Sequence, residues 1–185
     1  MRNYEQGPQR KNSDEGRLTK VSGPLLVRRF SVRQPEMFRV VEAVLAGRSA
    51  SLDKAALCEL AQTVMDLESE GLDGDLIEIG RGSGGTATVI AHAKRRSRPL
   101  LQIDPASCEE LTGEGPVAFV HVSGAGYDAI RSIFERVTGR LVPGGHMIID
   151  DYKSKEECRR AVDDHFRGKK GFSLVRQSRL HVVKN

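Results

Sequence analysis

The densest chemistry in the chain lies in the stretch Asp75 to Thr86, which reads Asp-Leu-Ile-Glu-Ile-Gly-Arg-Gly-Ser-Gly-Gly-Thr. Leu76, Ile77 and Ile79 suit a short buried parallel strand, and Gly80, Gly82, Gly84 and Gly85 allow a tight turn beside a ligand before a helix starts near Thr86. Glu78 departs from the ordinary dinucleotide fingerprint, which has an apolar residue there and aims a helix N-terminus at pyrophosphate. An acid two residues before the first glycine suits a ligand carrying an ammonium group, which favours S-adenosylmethionine over NAD. A second acid, Asp104, ends the next apolar run, Leu100 to Ile103, about twenty residues beyond the glycines. An acid at that spacing holds the ribose hydroxyls of a bound nucleoside, so Glu78, Gly80, Gly82, Gly84, Gly85 and Asp104 form the expected cofactor-binding set.

The elements that must position these residues follow from periodicity. Residues 1–22 are polar, mixed in charge and poor in large apolar side chains, and they read as a disordered tail. Residues 23–185 read as a single domain. Gly23 to Val27 is expected to be a short extended piece, and Pro35 to open a helix carrying Met37, Val40, Val41 and Val44 that ends at Gly47. Ser49 or Ser51 is expected to cap a further helix with apolar residues from Leu52 to Leu67 at helical spacing. Beyond the glycine stretch come a helix from Thr86 to Lys94 and strands at Leu100 to Ile103 and Val117 to Val122. An amphipathic helix is expected from Tyr127 as far as Val142, closed by Pro143-Gly144-Gly145 before a strand at His146 to Ile149. A helix from Lys155 to Phe166 and a terminal hairpin turned at Gln177 to Arg179 complete the chain. Strands alternating with helices imply an α/β fold with a doubly wound, mostly parallel sheet, ending in an antiparallel hairpin.

Composition limits the function classes. A chain of 185 residues can bury a core without disulfides or metals. It has no room for a separate substrate domain, which counts against NAD-dependent oxidoreduction. Aromatic residues make up 5% with no tryptophan, and the net charge is +4, so base-stacking and nucleic-acid binding are not expected despite the basic run Lys94 to Arg98. Cys58, Cys108 and Cys158 have no metal-ligand spacing and read as reduced thiols. No signal-peptide core or membrane-length apolar run is present, so the expectation is a cytoplasmic protein with a small-molecule substrate and no membrane partner. A homo-oligomer remains open.

Three features together resemble class I methyltransferases: Glu78-Ile-Gly80-Arg-Gly82-Ser-Gly84, the Pro143-Gly144-Gly145 turn, and the strand end Asp150-Asp151-Tyr152. More narrowly, Ser51 to Lys184 is similar to the macrocin O-methyltransferases, metal-dependent enzymes that methylate sugar hydroxyls in antibiotic biosynthesis. The resemblance implies a Rossmann-like sheet, S-adenosylmethionine as cofactor and a role in natural-product biosynthesis. The expected catalytic residues are His121, Asp150 and Tyr152, around which the pocket of a repurposed enzyme would be rebuilt, with Asp150 and Asp151 orienting substrate or a weak magnesium ion.

Two departures stand against that resemblance. The family pattern His-Ile-Asp-Gly-Asp-x-Tyr, whose first aspartate binds magnesium and whose second is the proposed base, reads here His121-Val122-Ser123-Gly124-Ala125-Gly126-Tyr127. Both carboxylates are gone while the histidine, glycine and tyrosine keep register. A serine hydroxyl is a poor substitute for a carboxylate as a magnesium ligand, and an alanine accepts no proton, so a base would have to come from Asp128, His121 or His146. The second departure is the short connection Pro105 to Gly115, where the family has an additional strand and helix, so one strand should be missing. Loss of the aspartates motivates two alternatives: a degenerate methyltransferase-fold protein serving as a binding or assembly partner, or a repurposed cyclase or isomerase.

Overall fold

The computed structural model describes residues 23–81 and 84–185; the expected tail and Gly82 lie outside the described residues. Three helices come first. The segment expected to be extended is instead the start of α1 (Gly23–Arg33), which buries Phe30. Pro24 suits this place, since in a helix's first turn the missing N–H costs nothing and the fixed φ is already helical. Helix α2 (Pro35–Ala46) opens on proline and buries Met37, Val41 and Val44 before Gly47. Helix α3 (Lys54–Ser69) is capped by Asp53, whose carboxylate accepts from Ala56 N at 2.8 Å, and not by Ser49 or Ser51. The residues before Asp53 serve a different contact, since Ser49 O accepts from Gly85 N at 2.8 Å and ties this segment to the glycine turn.

The remaining elements alternate as β1 (Asp75–Ile79), α4 (Gly85–Ala93), β2 (Leu100–Ile103), β3 (Val117–Val122), α5 (Tyr127–Val137), β4 (Leu141–Ile149), α6 (Glu156–Phe166), β5 (Phe172–Arg176) and β6 (Leu180–Lys184). Short 3₁₀ turns at Pro105–Glu110 and Asp150–Tyr152 follow β2 and β4. The sheet order is β2-β1-β3-β4-β6-β5, with the first four strands parallel and β6 antiparallel to both of its neighbours. The chain runs from β1 outward to β2 and then returns to β3 on the other side of β1. That reversal is the topological switch point, beyond whose strand ends open α/β sheets bind ligands.

One expected boundary moves. Helix α5 stops at Val137, where Thr138 turns its hydroxyl onto Phe134 O at 2.7 Å, and Leu141 already pairs with Val117 in the sheet. Pro143 to Gly145 sits inside β4, between the Leu141↔Val117 and His146↔Phe119 pairs. A proline cannot donate to a ladder, so the segment bulges out there and pairing resumes at His146.

Period-2 alternation sends the strands' side chains to two cores. Leu76, Phe119 and Ile148 pack against α1 to α4, while Ile77, Ile79, Val120, Val122, Met147 and Ile149 pack against α5 and α6. Side chains such as Phe119, Phe134 and Leu57 are fully buried, each contributing about 2 kcal/mol, which fixes both helical layers on the sheet. With only a 3₁₀ turn between β2 and β3, β2 is left as an edge strand, and Leu101 and Gln102 are exposed. This is the expected absence of one strand.

Candidate active site at the switch point

Strand register builds the floor of the site. Glu78 and His121 are direct partners across β1 and β3, so their side chains leave the sheet together. His121 Nε2 lies 3.0 Å from Asp150 Oδ2, and its Nδ1 lies 3.7 Å from Glu78 Oε1. Thr86, in the first turn of α4, donates its hydroxyl to Glu78 Oε1. On the far side Arg179 Nε is 3.6 Å from Asp150 Oδ1, and Arg179 Nη2 is 3.7 Å from Asp53 Oδ2. A line of alternating charge therefore runs Glu78, His121, Asp150, Arg179, Asp53 across the ends of three strands.

His121 is fully buried, which by itself would favour the neutral ring. The Asp150 and Glu78 carboxylates override burial and push its pKa up to about 9. At neutral pH it is an imidazolium locked between two acids. His121, expected in the catalytic set, is thus enclosed between Glu78 and Asp150 and is not among the side chains that line the cleft. His146, the other candidate histidine base, turns away from this line. Its Nδ1 is 3.0 Å from Gly144 O and its ring meets that of His181, while burial and His181 push its pKa down to about 4.

Above this floor opens a cleft of about 580 Å³. Its walls come from Ser51 and Leu52 before α3, Arg81 after β1, Ser123 and Gly124 after β3, Asp150, Asp151 and Lys153 to Lys155 after β4, and Ser178 and Arg179 in the hairpin turn. That turn is held by Glu59 of α3, whose Oε1 accepts from Ser178 N at 3.3 Å and lies 3.2 Å from His181 Nε2.

The expected cofactor residues gather at the same end of the sheet. Gly80 packs closely on the end of β3, since a Cβ there would come within 2.5 Å of Ser123 Oγ and the serine hydroxyl would have to turn aside. Gly84 caps α4 at φ 83° with open space where a side chain would stand. Gly85 is different, since its N–H is already given to Ser49 O. Glu78 keeps one buried oxygen, Oε2, without a partner among the described residues. Asp104 is exposed at the end of β2. Ala106 N at 2.8 Å and Arg81 Nε at 3.2 Å bond its Oδ1 and hold its carboxyl below the usual carboxylate range. An unpaired buried carboxylate oxygen, the open space at Gly84 and an acid at the next strand end fit the aminoacyl and ribose ends of S-adenosylmethionine.

A divalent metal does not fit. Asp150 is held by His121 and Arg179. Asp151 Oδ2 accepts from Gly124 N at 2.8 Å and Lys155 Nζ at 2.9 Å. Burial would raise the Asp151 pKa, but the Lys155 ammonium and the Gly124 N–H outweigh it and keep the carboxyl low. Ala125, where the family's second aspartate stands, is 4% exposed and belongs to the apolar core, so that position does not face the cleft. Among the described residues no group of three or more His, Cys, Asp or Glu side chains could hold a metal ion. Magnesium prefers several hard oxygens in octahedral array, and this donor set offers it two carboxylates already paired with cations.

Tyr152 is not brought to the cleft. It is buried beside α6, donating to Asp163 Oδ1 at 2.8 Å and accepting from Arg176 Nη2 at 2.9 Å. Conversely, Arg81, Thr86, Lys153, Lys155 and Arg179 are site residues that the sequence reading passed over. Lys155 carried a legible signal, four residues after Asp151 at a helix start. Arg179 did not. It reaches the site because β6 runs antiparallel to β4, which returns the hairpin turn to the end where the parallel strands finish.

Comparison with known proteins bears on the fold. Residues 110–175 match the family model of macrocin O-methyltransferase (TylF), a narrower span than the sequence resemblance suggested and one that excludes the glycine turn. No curated protein matches the chain. Among solved structures, the O-methyltransferase NovP superposes with a TM-score of 0.68 at 16% identity, covering 84% of this chain and 98% of NovP. TomG from Streptomyces achromogenes, an O-methyltransferase involved in tomaymycin synthesis and solved in complex with SAM, gives 0.55 at 13% identity over 86% of this chain and 96% of its own. MycE, a methyltransferase of the mycinamycin biosynthetic pathway solved with Mg and SAH, gives 0.56 at 17% identity, covering 83% of this chain and 55% of MycE. No helix among the described residues is long and apolar enough to cross a membrane. The chain carries the class I methyltransferase fold, and over residues 110–175 it is similar to the macrocin O-methyltransferases.

Proposed function

We propose that the chain is an S-adenosylmethionine-dependent O-methyltransferase acting on a small hydroxylated acceptor of natural-product type, such as a sugar. The observation that carries this reading is the placement of the glycine turn, Glu78 and Asp104 on one side of the switch point, with the cleft opening beside them. Glu78, Gly80, Gly84 and Asp104 would hold the cofactor; Gly82, expected in the same set, lies outside the described residues. The bound cofactor would supply an activated methyl group on a sulfonium.

The chain's own contribution is positioning. Imidazolium His121 fixes Glu78 on the cofactor side and Asp150 on the acceptor side, so the two subsites share one rigid floor. Asp151 Oδ1, which only Ser154 Oγ approaches at 3.4 Å, is free to accept from an acceptor hydroxyl. Its low pKa makes it a weak base, so it chiefly orients the nucleophile. As the methyl passes from the sulfonium to the hydroxyl oxygen, leaving a thioether, the hydroxyl proton is relayed past the Asp151 carboxylate to solvent in the open cleft. Holding two reactants in line supplies much of the acceleration. Incubation with methyl-labelled S-adenosylmethionine and a panel of hydroxylated glycosides tests the reading. Label transfer to any acceptor that is lost in Asp151→Asn supports it, and transfer unchanged in that variant removes Asp151 from the mechanism.

A second reading, a methyltransferase-fold protein kept for binding, is favoured by one observation. Arg81 occupies the carboxylate of Asp104, where ribose hydroxyls would bind. Both groups are more than half exposed and the pair is screened by solvent, but a ribose would have to displace Arg81 before it could bind there.

A further inference from the structure

The charges lining the cleft do not balance. In the lining itself four cations, Arg81, Lys153, Lys155 and Arg179, face two carboxylates, Asp150 and Asp151, while Asp104, Asp53 and Glu78 pair with Arg81, Arg179 and the buried His121 from outside it. Each cation except one has an acid. Arg81 is on Asp104, Lys155 on Asp151, and Arg179 between Asp150 and Asp53. Lys153 is the exception: its ammonium is steadied by two carbonyl oxygens, Gln177 O at 3.1 Å and Ser178 O at 3.3 Å, with no carboxylate partner among the described residues.

That arrangement has a physical consequence. Carbonyl oxygens fix an ammonium without cancelling its charge, so Lys153 stays a cation without an ion-pair partner, among the described residues, on a concave surface where low-dielectric walls focus its field. A divalent cation entering the cleft would meet this field and would have to displace Lys155 and Arg179 from the two aspartates. An anion would meet the reverse. Resting on the acceptor-cleft reading above, we infer that the cleft takes an acceptor bearing a carboxylate or phosphate group, gripped by Lys153 with support from Lys155 and Arg179, and that these fixed cations replace the divalent metal. Asp151 is then left to the acceptor's hydroxyl while the anionic group is held across the cleft from it. No covalent step beyond methyl transfer is involved.

The test is calorimetric titration of the full chain with glucuronate, glucose 6-phosphate and glucose, each in the presence and absence of S-adenosylhomocysteine, and each repeated in EDTA and in excess magnesium. At least one anionic sugar is expected to bind tenfold or more tightly than glucose, unchanged by EDTA. Lys153→Ala, an exposed substitution, is expected to weaken that binding about tenfold, as loss of one charge-assisted contact should, and Lys153→Arg to restore it. Equal affinity for glucose, failure of both anionic sugars to bind, indifference to Lys153→Ala, or a requirement for magnesium would each overturn the inference. S-adenosylhomocysteine binding without anion preference defeats this inference and spares the cofactor reading; anion preference without S-adenosylhomocysteine binding does the opposite.

Discussion

His121 Nε2 sits 3.0 Å from Asp150 Oδ2 while the same ring, through Nδ1, faces Glu78 Oε1 at 3.7 Å, so one buried imidazolium joins the acid of the glycine strand to the acid that floors the cleft. The pairing follows from register, because Glu78 and His121 are opposite each other in adjacent strands. Removing the charge of His121 leaves two buried carboxylates with only a neutral ring between them, which is far more costly than losing a surface ion pair.

Stability should therefore depend on pH in a particular way. The folded pKa of His121, about 9, lies above its ordinary value of 6.5, so its contribution is complete below pH 6.5 and is lost as pH rises toward 9. The full shift corresponds to on the order of 3 kcal/mol. His146 and His165 are displaced in the other direction, to about 4, chiefly by burial, so their folded forms are neutral and stability falls as pH drops from 6.5 toward 4. Thermal melts across pH 4 to 10 should give a maximum near pH 6.5. In His121→Gln the alkaline decline between pH 6.5 and 9 should flatten, and an unchanged decline would show that another group produces it.

The two lost aspartates should not be equivalent on restoration. Ala125→Asp puts a carboxylate into the apolar core and should cost on the order of 3 kcal/mol, read as a drop in melting temperature. Ser123→Asp faces the cleft and should cost less than about 1 kcal/mol. Magnesium should not stabilise Ser123→Asp until Lys155→Ala is added, since the ammonium holds Asp151 until then. Metal-dependent stabilisation of the single variant, seen by thermal shift, would mean that Lys155 yields its place readily.

Tyr152→Phe separates structure from site. The hydroxyl bridges Asp163 and Arg176 beside α6, so its loss should lower stability by about 1 kcal/mol and leave ligand affinity unchanged. A change in S-adenosylhomocysteine or acceptor affinity without a change in melting temperature would return Tyr152 to the site.

Much of this architecture was legible in the residues, for identifiable reasons. Leu76 to Ile79, Val117 to Val122 and His146 to Ile149 are apolar runs too short for helices, and each ends in residues that leave the sheet, so strand and site fall together at the C-terminal edge. Errors arose where one residue type serves two conformations. Pro24 opens a helix as readily as it breaks one, and Leu141 with Val142 extends the apolar stripe of α5 although both already belong to β4. The charged floor was illegible because it depends on the relative register of strands about forty residues apart. Glu78 and His121 could each be noticed, but nothing local to either states that they face each other, or that a returning antiparallel strand brings Arg179 against Asp150.

The central claim is that the glycine turn at the switch point holds S-adenosylmethionine. Calorimetric titration of the full chain with S-adenosylhomocysteine tests it most directly, with Arg81→Ala run alongside. One saturable site is expected, tightened about two- to fivefold in Arg81→Ala because Asp104 is released from an exposed ion pair. Absence of binding by either protein at millimolar ligand would contradict the account.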